Sequence, residues 1–309
     1  MRSTAMVFRF LPVFLIFATA LSWPSLTSAQ MSSLNYKIEW DTVNAGGGDS
    51  SSSSSYLLRD TINGNALGGT SSASYQLNAG YRAGVNDQLI TFELFAENPS
   101  ISVDATALAG TTVTVTSSSG FAVGDFAAVV QDVGASQVAA IGKITSTSGT
   151  SITFDRLTNG GVAPVIDGTN DKVFLLSGTS APLGSLNSAA VATELIGFNV
   201  SADVDNGYTI QAMSDGDLRD GSNVIAGVTD GTVSAGSAEY GGRSSDTTVS
   251  GSTFGSQDTA FTTSFQPVVS KTGHQFEDRD FVTLKASDTS STPSGTYSQA
   301  LTFVVSGNY

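Results

Sequence analysis

Thr111-Thr112-Val113-Thr114-Val115-Thr116, then Ser119-Gly120-Phe121-Ala122-Val123-Gly124-Asp125, then Phe126-Ala127-Ala128-Val129-Val130-Gln131 is the stretch that decides the fold class. The first segment alternates threonine with valine, the period-two pattern of a half-buried strand built from β-branched residues. The second carries glycines for tight turns and sets Phe121 to plug a small core. The third reads as a further strand. Two strands around a glycine-rich turn leave no room for a helix between them.

Working outward, further strands are expected at 138–145, 151–154 and 172–176, with turns at Asn159-Gly160-Gly161 and Asp167-Gly168. So many short strands in residues 102–178 suit a small β-barrel or a curled sheet. On either side, 89–95 and 195–204 alternate, and Asp205-Asn206-Gly207 reads as the turn of a hairpin into 208–213. Later strands are expected at 260–265, 281–286 and 297–305. No segment sustains a 3.6-residue apolar period, so helices should be few. The expected fold is all-β, an immunoglobulin-like β-sandwich (89–101 plus 179–309) into which the small barrel (102–178) is inserted.

Composition narrows the chemistry. The 309 residues include no cysteine and one histidine, which excludes disulfides, thiolate metal sites and a two-histidine zinc site. With 27 acidic against 13 basic residues, the chain lacks the basic footprint of a nucleic-acid binder. At the N-terminus, Arg2 and Arg9 precede an apolar run over 10–21, and Thr27-Ser28-Ala29 offers small residues for cleavage before Gln30. The run is short of the roughly 20 residues that span a bilayer. Residues 1–29 therefore read as a signal peptide, and the chain as secreted, extracellular or cell-surface, without a transmembrane segment after cleavage. In an oxidising compartment and without cysteine, stability must come from packed sheet, bound ions or assembly.

Residues 30–88 form a Gly/Ser-rich segment with a degenerate repeat. Tyr36-Lys37-Ile38, Tyr56-Leu57-Leu58 and Tyr75-Gln76-Leu77 recur at spacings of 20 and 19, separated by Gly46 to Gly48, the serines 50–55 and Gly68-Gly69. Repetition at this period marks a supersecondary unit, here short strands joined by Gly/Ser turns. The segment resembles the S-x-x-Y-x-L repeats of some secreted bacterial proteins.

The C-terminal Ser294-Gly295-Thr296-Tyr297-Ser298-Gln299-Ala300-Leu301-Thr302-Phe303-Val304-Val305 places Tyr297, Leu301, Phe303 and Val305 on one face of a last strand. It resembles the final strand of bacterial spore-coat-U and fimbrial-type subunits, which are immunoglobulin-like sandwiches ending in a G-x-Y strand. It is also similar to the distal Y-x-x-x-L-T-W motif of WxL cell-wall-binding domains, with Phe303 in place of the tryptophan and no W-x-L tripeptide. An outer-membrane barrel would need strands of about 10 residues with aromatic girdles, and these strands are shorter.

Hard-ligand chemistry is concentrated in two acidic turns. Asp203 and Asp205 precede Asn206-Gly207, and Asp215, Asp217 and Asp220 alternate with Gly216 and Gly221, as in calcium loops. The later bidentate glutamate of a full calcium loop is missing, and Asp and Gly are also ordinary turn residues. No cofactor is expected, with calcium the one candidate. His274 has no G-x-S-x-G elbow to serve, and Glu239, Glu277, Asp278 and Asp280 are the acids a glycosidase pair would have to draw on. Trp40, Tyr208 and Tyr240 are the aromatics a sugar platform would use.

The expectation is a secreted bacterial surface or extracellular-matrix protein, structural or adhesive and not an enzyme. Its partners would be surface or wall components, or copies of itself joined by strand addition. A carbohydrate or cell-wall binding module, with or without calcium, is the alternative, and a secreted hydrolase the third.

Overall fold

The computed structural model describes residues 89–308 in full, and before them only the backbone of short strands between 31 and 79. Two compact units are distinguished: residues 1–49 with 59–85, and residues 50–58 with 86–309. In the first part of the chain, β1 (Met31–Ser32) pairs with β2 (Lys37–Ile38), β3 (Gly46–Ser53) with β4 (Tyr56–Ile62), and β5 (Gly68–Ser71) with β6 (Gln76–Ala79). The signal peptide lies outside the described residues, as do the side chains of the tyrosine repeat.

Everything after Leu89 is strand, turn or irregular, with no helix among the described residues. The organising element is β7 (Ile90–Ala109), a 20-residue strand that changes partners along its length. Its first part, Ile90 to Ala96, pairs with β14 (Ala192–Ala202). From Glu97 to Asp104 it pairs with β13 (Lys172–Leu176), and from Ala105 to Ala109 with β8 (Thr112–Val115). β13 continues to β9 (Phe126–Gln131), β10 (Val138–Ser148) and β11 (Ser151–Phe154), and β11 returns to β8. These six strands thus make a closed circuit of pairings, with β12 (Thr158–Asn159) added on β10.

The circuit explains why β9 and β13 are apolar apart from the terminal Gln131 and Lys172. Ala127, Val129, Val173 and Leu175 point into a core enclosed by the circuit, together with Phe121, Ile144, Ile152 and Phe154. Their neighbours Phe126, Ala128, Val130, Phe174 and Leu176 join a second cluster with Leu195 of β14 and Phe281. A strand buried on both faces needs no polar alternation.

From β14 the sheet runs on through β20 (Gln275–Ser287), β18 (Glu239–Ser244), β17 (Asn223–Gly227) and β16 (Leu218–Asp220). A second sheet has the order β19 (Gln266–Lys271), β15 (Tyr208–Ser214), β21 (Leu301–Gly307). Between the two lies the largest core, with Phe198, Val200, Ile210, Val268 and Val282 all at most 1% exposed. The body is therefore all-β and sandwich-like.

Three strand expectations change. β14 and β15 are not a hairpin: β15 pairs with β19 and β21, so Asp205-Asn206-Gly207 carries the chain from one sheet to the other. Gly207 has φ +79°, and a Cβ there would strike the Lys271 carbonyl, which is why this corner takes glycine. Residues 260–265 form no strand; Phe261 plugs the sandwich core from an irregular segment, while Phe265 stays exposed. The last strand starts at Leu301 rather than Tyr297, and Ser298 makes only an isolated bridge to Arg219.

Candidate functional site

Three of the five turn aspartates, Asp203, Asp205 and Asp215, have side-chain partners within the chain. Asp215 forms an ion pair with Arg219 at 2.6 Å and accepts the Ala300 N–H at 2.9 Å. That backbone bond, with the Arg219 bond behind it, holds the exposed Asp215 carboxyl below the usual carboxylate range. Asp203 and Asp205 lie on either side of His274, at 2.9 Å from Nδ1 and 3.3 Å from Nε2. Asp220 lies against Gly295, where a Cβ would collide with its carboxylate. The Asp217 carbonyl accepts from Arg219. No three acidic or histidine groups converge on one point in a metal-holding arrangement among the described residues.

The other acids serve the fold. Along β20 the four charges of Glu277-Asp278-Arg279-Asp280 alternate between two sides. The Tyr208 hydroxyl donates to Asp278 at 2.8 Å, and burial followed by the Asp278 charge pushes that phenol upward. Asp280 accepts from Ser245 at 2.9 Å and pairs with Lys271 at 3.0 Å; burial lifts its carboxyl to about 7 against the pull of Lys271. On the other side, the fully buried Arg279 makes a two-pronged pair with Asp155, both bonds 2.7 Å, and lies 5.1 Å from the Phe126 ring centroid. Glu239 accepts the Ser234 N–H, and Tyr240 is bonded by Gln299. Trp40 lies outside the described residues.

One feature is unspent by folding: an open edge of the sandwich. β21 pairs only with β15 among the described residues. Facing it, β7 pairs with β14 on one flank, and on its other flank it gains a strand only from Glu97 onward. Phe198 joins the two edges, with ring centroids 5.9 Å from Phe92 and 5.2 Å from Phe303. Ile90, Phe92 and Leu94 of β7 and Leu301, Phe303 and Val305 of β21 are only half-buried against the core, as are Ala181, Leu183, Leu186, Val249 and Tyr297 from other segments around it. The result is an apolar strip framed by two strand edges whose backbone groups have no ladder on that side.

Of this edge, β21 is the half without a guard, since the start of β7 carries the exposed Glu93; the remaining edges are blunted. β16 is three residues long and carries Arg219 and Asp220. β19 carries Pro267, which has no N–H to offer, and Lys271. β21 reads Leu-Thr-Phe-Val-Val-Ser-Gly, with neither charge nor proline. Sequence reading found the alternating face of β21 but not its position at an edge, which depends on the order of strands.

No family model, no curated protein and no solved structure matches this chain.

Proposed function

We propose that this chain is a secreted, non-catalytic bacterial surface or matrix protein that works by strand-mediated association. The single observation that carries the reading is the unblunted edge of β21, lying over a half-buried apolar strip. Exposed edges of this kind are templates for strand addition, and soluble chains ordinarily block them. The acidic, cysteine-free composition fits an extracellular setting in which assembly, rather than disulfides, adds stability. In this reading the two-sheet body is an immunoglobulin-like sandwich, and the closed circuit, which draws on β7 from Glu97 and otherwise lies within 102–178, is a small barrel inserted into it as a spacer.

The test is sedimentation velocity of residues 30–309 across a concentration series, with a pull-down on isolated bacterial cell walls. Concentration-dependent association or wall retention is expected. A monomer at every concentration that also ignores walls refutes the proposal.

A further inference from the structure

We infer that the open edge formed by β21 and the start of β7 is the acceptor for a Tyr-x-Leu/Ile segment of residues 30–88 from a second copy of this chain. The inference rests on the assembly reading above and names its partner. The acceptor presents apolar side chains at every second position, Leu301, Phe303 and Val305 on one strand and Ile90, Phe92 and Leu94 on the other. A strand that completes it must bring apolar residues at the same period on one face and spare backbone groups along its length.

The repeat supplies that pattern. Tyr75, Leu77 and Ala79 alternate, as do Tyr36, Ile38 and Trp40, and Tyr56 with Leu58. Of these segments, Lys37–Ile38, Tyr56–Ile62 and Gln76–Ala79 lie on the strands β2, β4 and β6. Tyr75-Gln76-Leu77-Asn78-Ala79 carries no charge and is not repelled by a chain of net charge −14.

Stoichiometry decides between the same chain and a neighbour. Each body offers one such edge, whereas each chain carries three such segments. Occupation in cis consumes one at most and leaves the others free. Donors in excess of acceptors favour links between copies.

The experiment uses residues 30–309 with a photo-crosslinking phenylalanine analogue in place of Val304, which is 41% exposed and points away from the core. Equal amounts of nitrogen-14 and nitrogen-15 chains are mixed, irradiated and mapped by mass spectrometry. Mixed-isotope crosslinks from position 304 into 36–40, 56–62 or 75–79 are expected. In parallel, the combined Tyr36→Asp, Tyr56→Asp and Tyr75→Asp variant should lose the oligomer in sedimentation while keeping the melting temperature of the body. The matching Tyr→Phe variant should restore the oligomer. Crosslinks confined to one isotope, crosslinks from 304 to the β21 of another copy, or an oligomer untouched by the triple variant each overturn the inference. An oligomer whose crosslinks map elsewhere leaves the assembly reading standing without this acceptor; a monomeric parent chain overturns both.

Discussion

Raising the pH from 4.5 to 8 should destabilise this protein, and replacing one buried glutamate should remove much of the effect. Glu97 and Glu194 are 5% and 2% exposed, on β7 and β14 beside the point where β7 changes partners. Glu97 accepts a single bond, from the Leu195 N–H at 3.1 Å, and Glu194 Oε1 is buried without a partner. Burial pushes the Glu97 carboxyl up to about 8, against the Leu195 bond. Burial, then the charge of Glu97, pushes Glu194 up to about 9. A carboxyl raised in the folded state keeps its proton there while the unfolded chain has lost it. Unfolding therefore releases protons between 4.5 and 8, and stability falls as pH rises through that window. Below 4.5 both states hold the proton and this slope vanishes.

At about 1.36 kcal/mol per pH unit, Glu97 alone withdraws about 4 kcal/mol by pH 8. That is a large share of the ~5–15 kcal/mol that a native chain has. Glu97→Gln deletes the titration and keeps an oxygen for Leu195, but its buried amide lacks a partner, a cost of about 1–3 kcal/mol. A net gain of about 2 kcal/mol is left at pH 8, or roughly 4–8 °C in melting temperature. At pH 4.5 the variant should be equal to the parent or less stable. Calorimetry at half-unit steps from pH 4.5 to 8.5 gives the comparison, with Glu194→Gln as the second arm. Asp280, raised to about 7, adds a slope shared by all variants, so the difference between profiles is the quantity to read. Parallel profiles for parent and both variants would refute the reasoning.

Arg279→Met should cost less in chemical denaturation than the ~3–5 kcal/mol of a broken buried pair, because the Asp155 it strands is exposed and keeps the N–H bonds of Lys143 and Arg156. Asp155→Asn should cost more than Arg279→Met, since the charge left behind on Arg279 is fully buried. Gly142→Val should lower the urea midpoint by at least the equivalent of about 1–3 kcal/mol: even a Cβ there would lie 2.4 Å from the Arg156 carbonyl oxygen and 2.9 Å from the Phe154 ring. Adding millimolar calcium and then EDTA should leave the melting temperature unchanged, since Asp215 is held by Arg219 and Ala300 and the pair Asp203–Asp205 by His274. A rise of several degrees with calcium would show a site at these turns.

How much of this was legible in the sequence depends on whether the deciding physics is local. β9 and β13 follow their apolar runs to within one residue, because burial on both faces and flanking turn residues leave a strand no other length, while β11 keeps the alternation of a strand buried on one face. The start of β20 was unreadable for the opposite reason. Glu277-Asp278-Arg279-Asp280 looks like a solvated loop until Tyr208, Asp155 and Lys271, all remote in sequence, arrive to pair with it. The sequence reads Asp205-Asn206-Gly207 as a hairpin turn, yet local turn chemistry does not say which sheet the next strand joins, and here it joins the other one. That choice rests on Gly207 fitting against the Lys271 carbonyl, a contact no local pattern encodes.

The same distinction bears on the open edge. Any sheet that does not close has edges, so an edge alone carries no function. What separates β21 from β16 and β19 is composition at equal topological standing: Arg219 and Asp220 on one, Pro267 and Lys271 on another, nothing comparable on the third. If β21 only needed to stay soluble, Thr302 or Val304, which point outward, are where a lysine would sit at no cost to the core. Val304→Lys should therefore leave the melting temperature within about 1–2 °C of the parent, as an outward-facing change does. It should still weaken self-association measured by sedimentation. A variant that associates as well as its parent would show that the unguarded edge is not where copies meet.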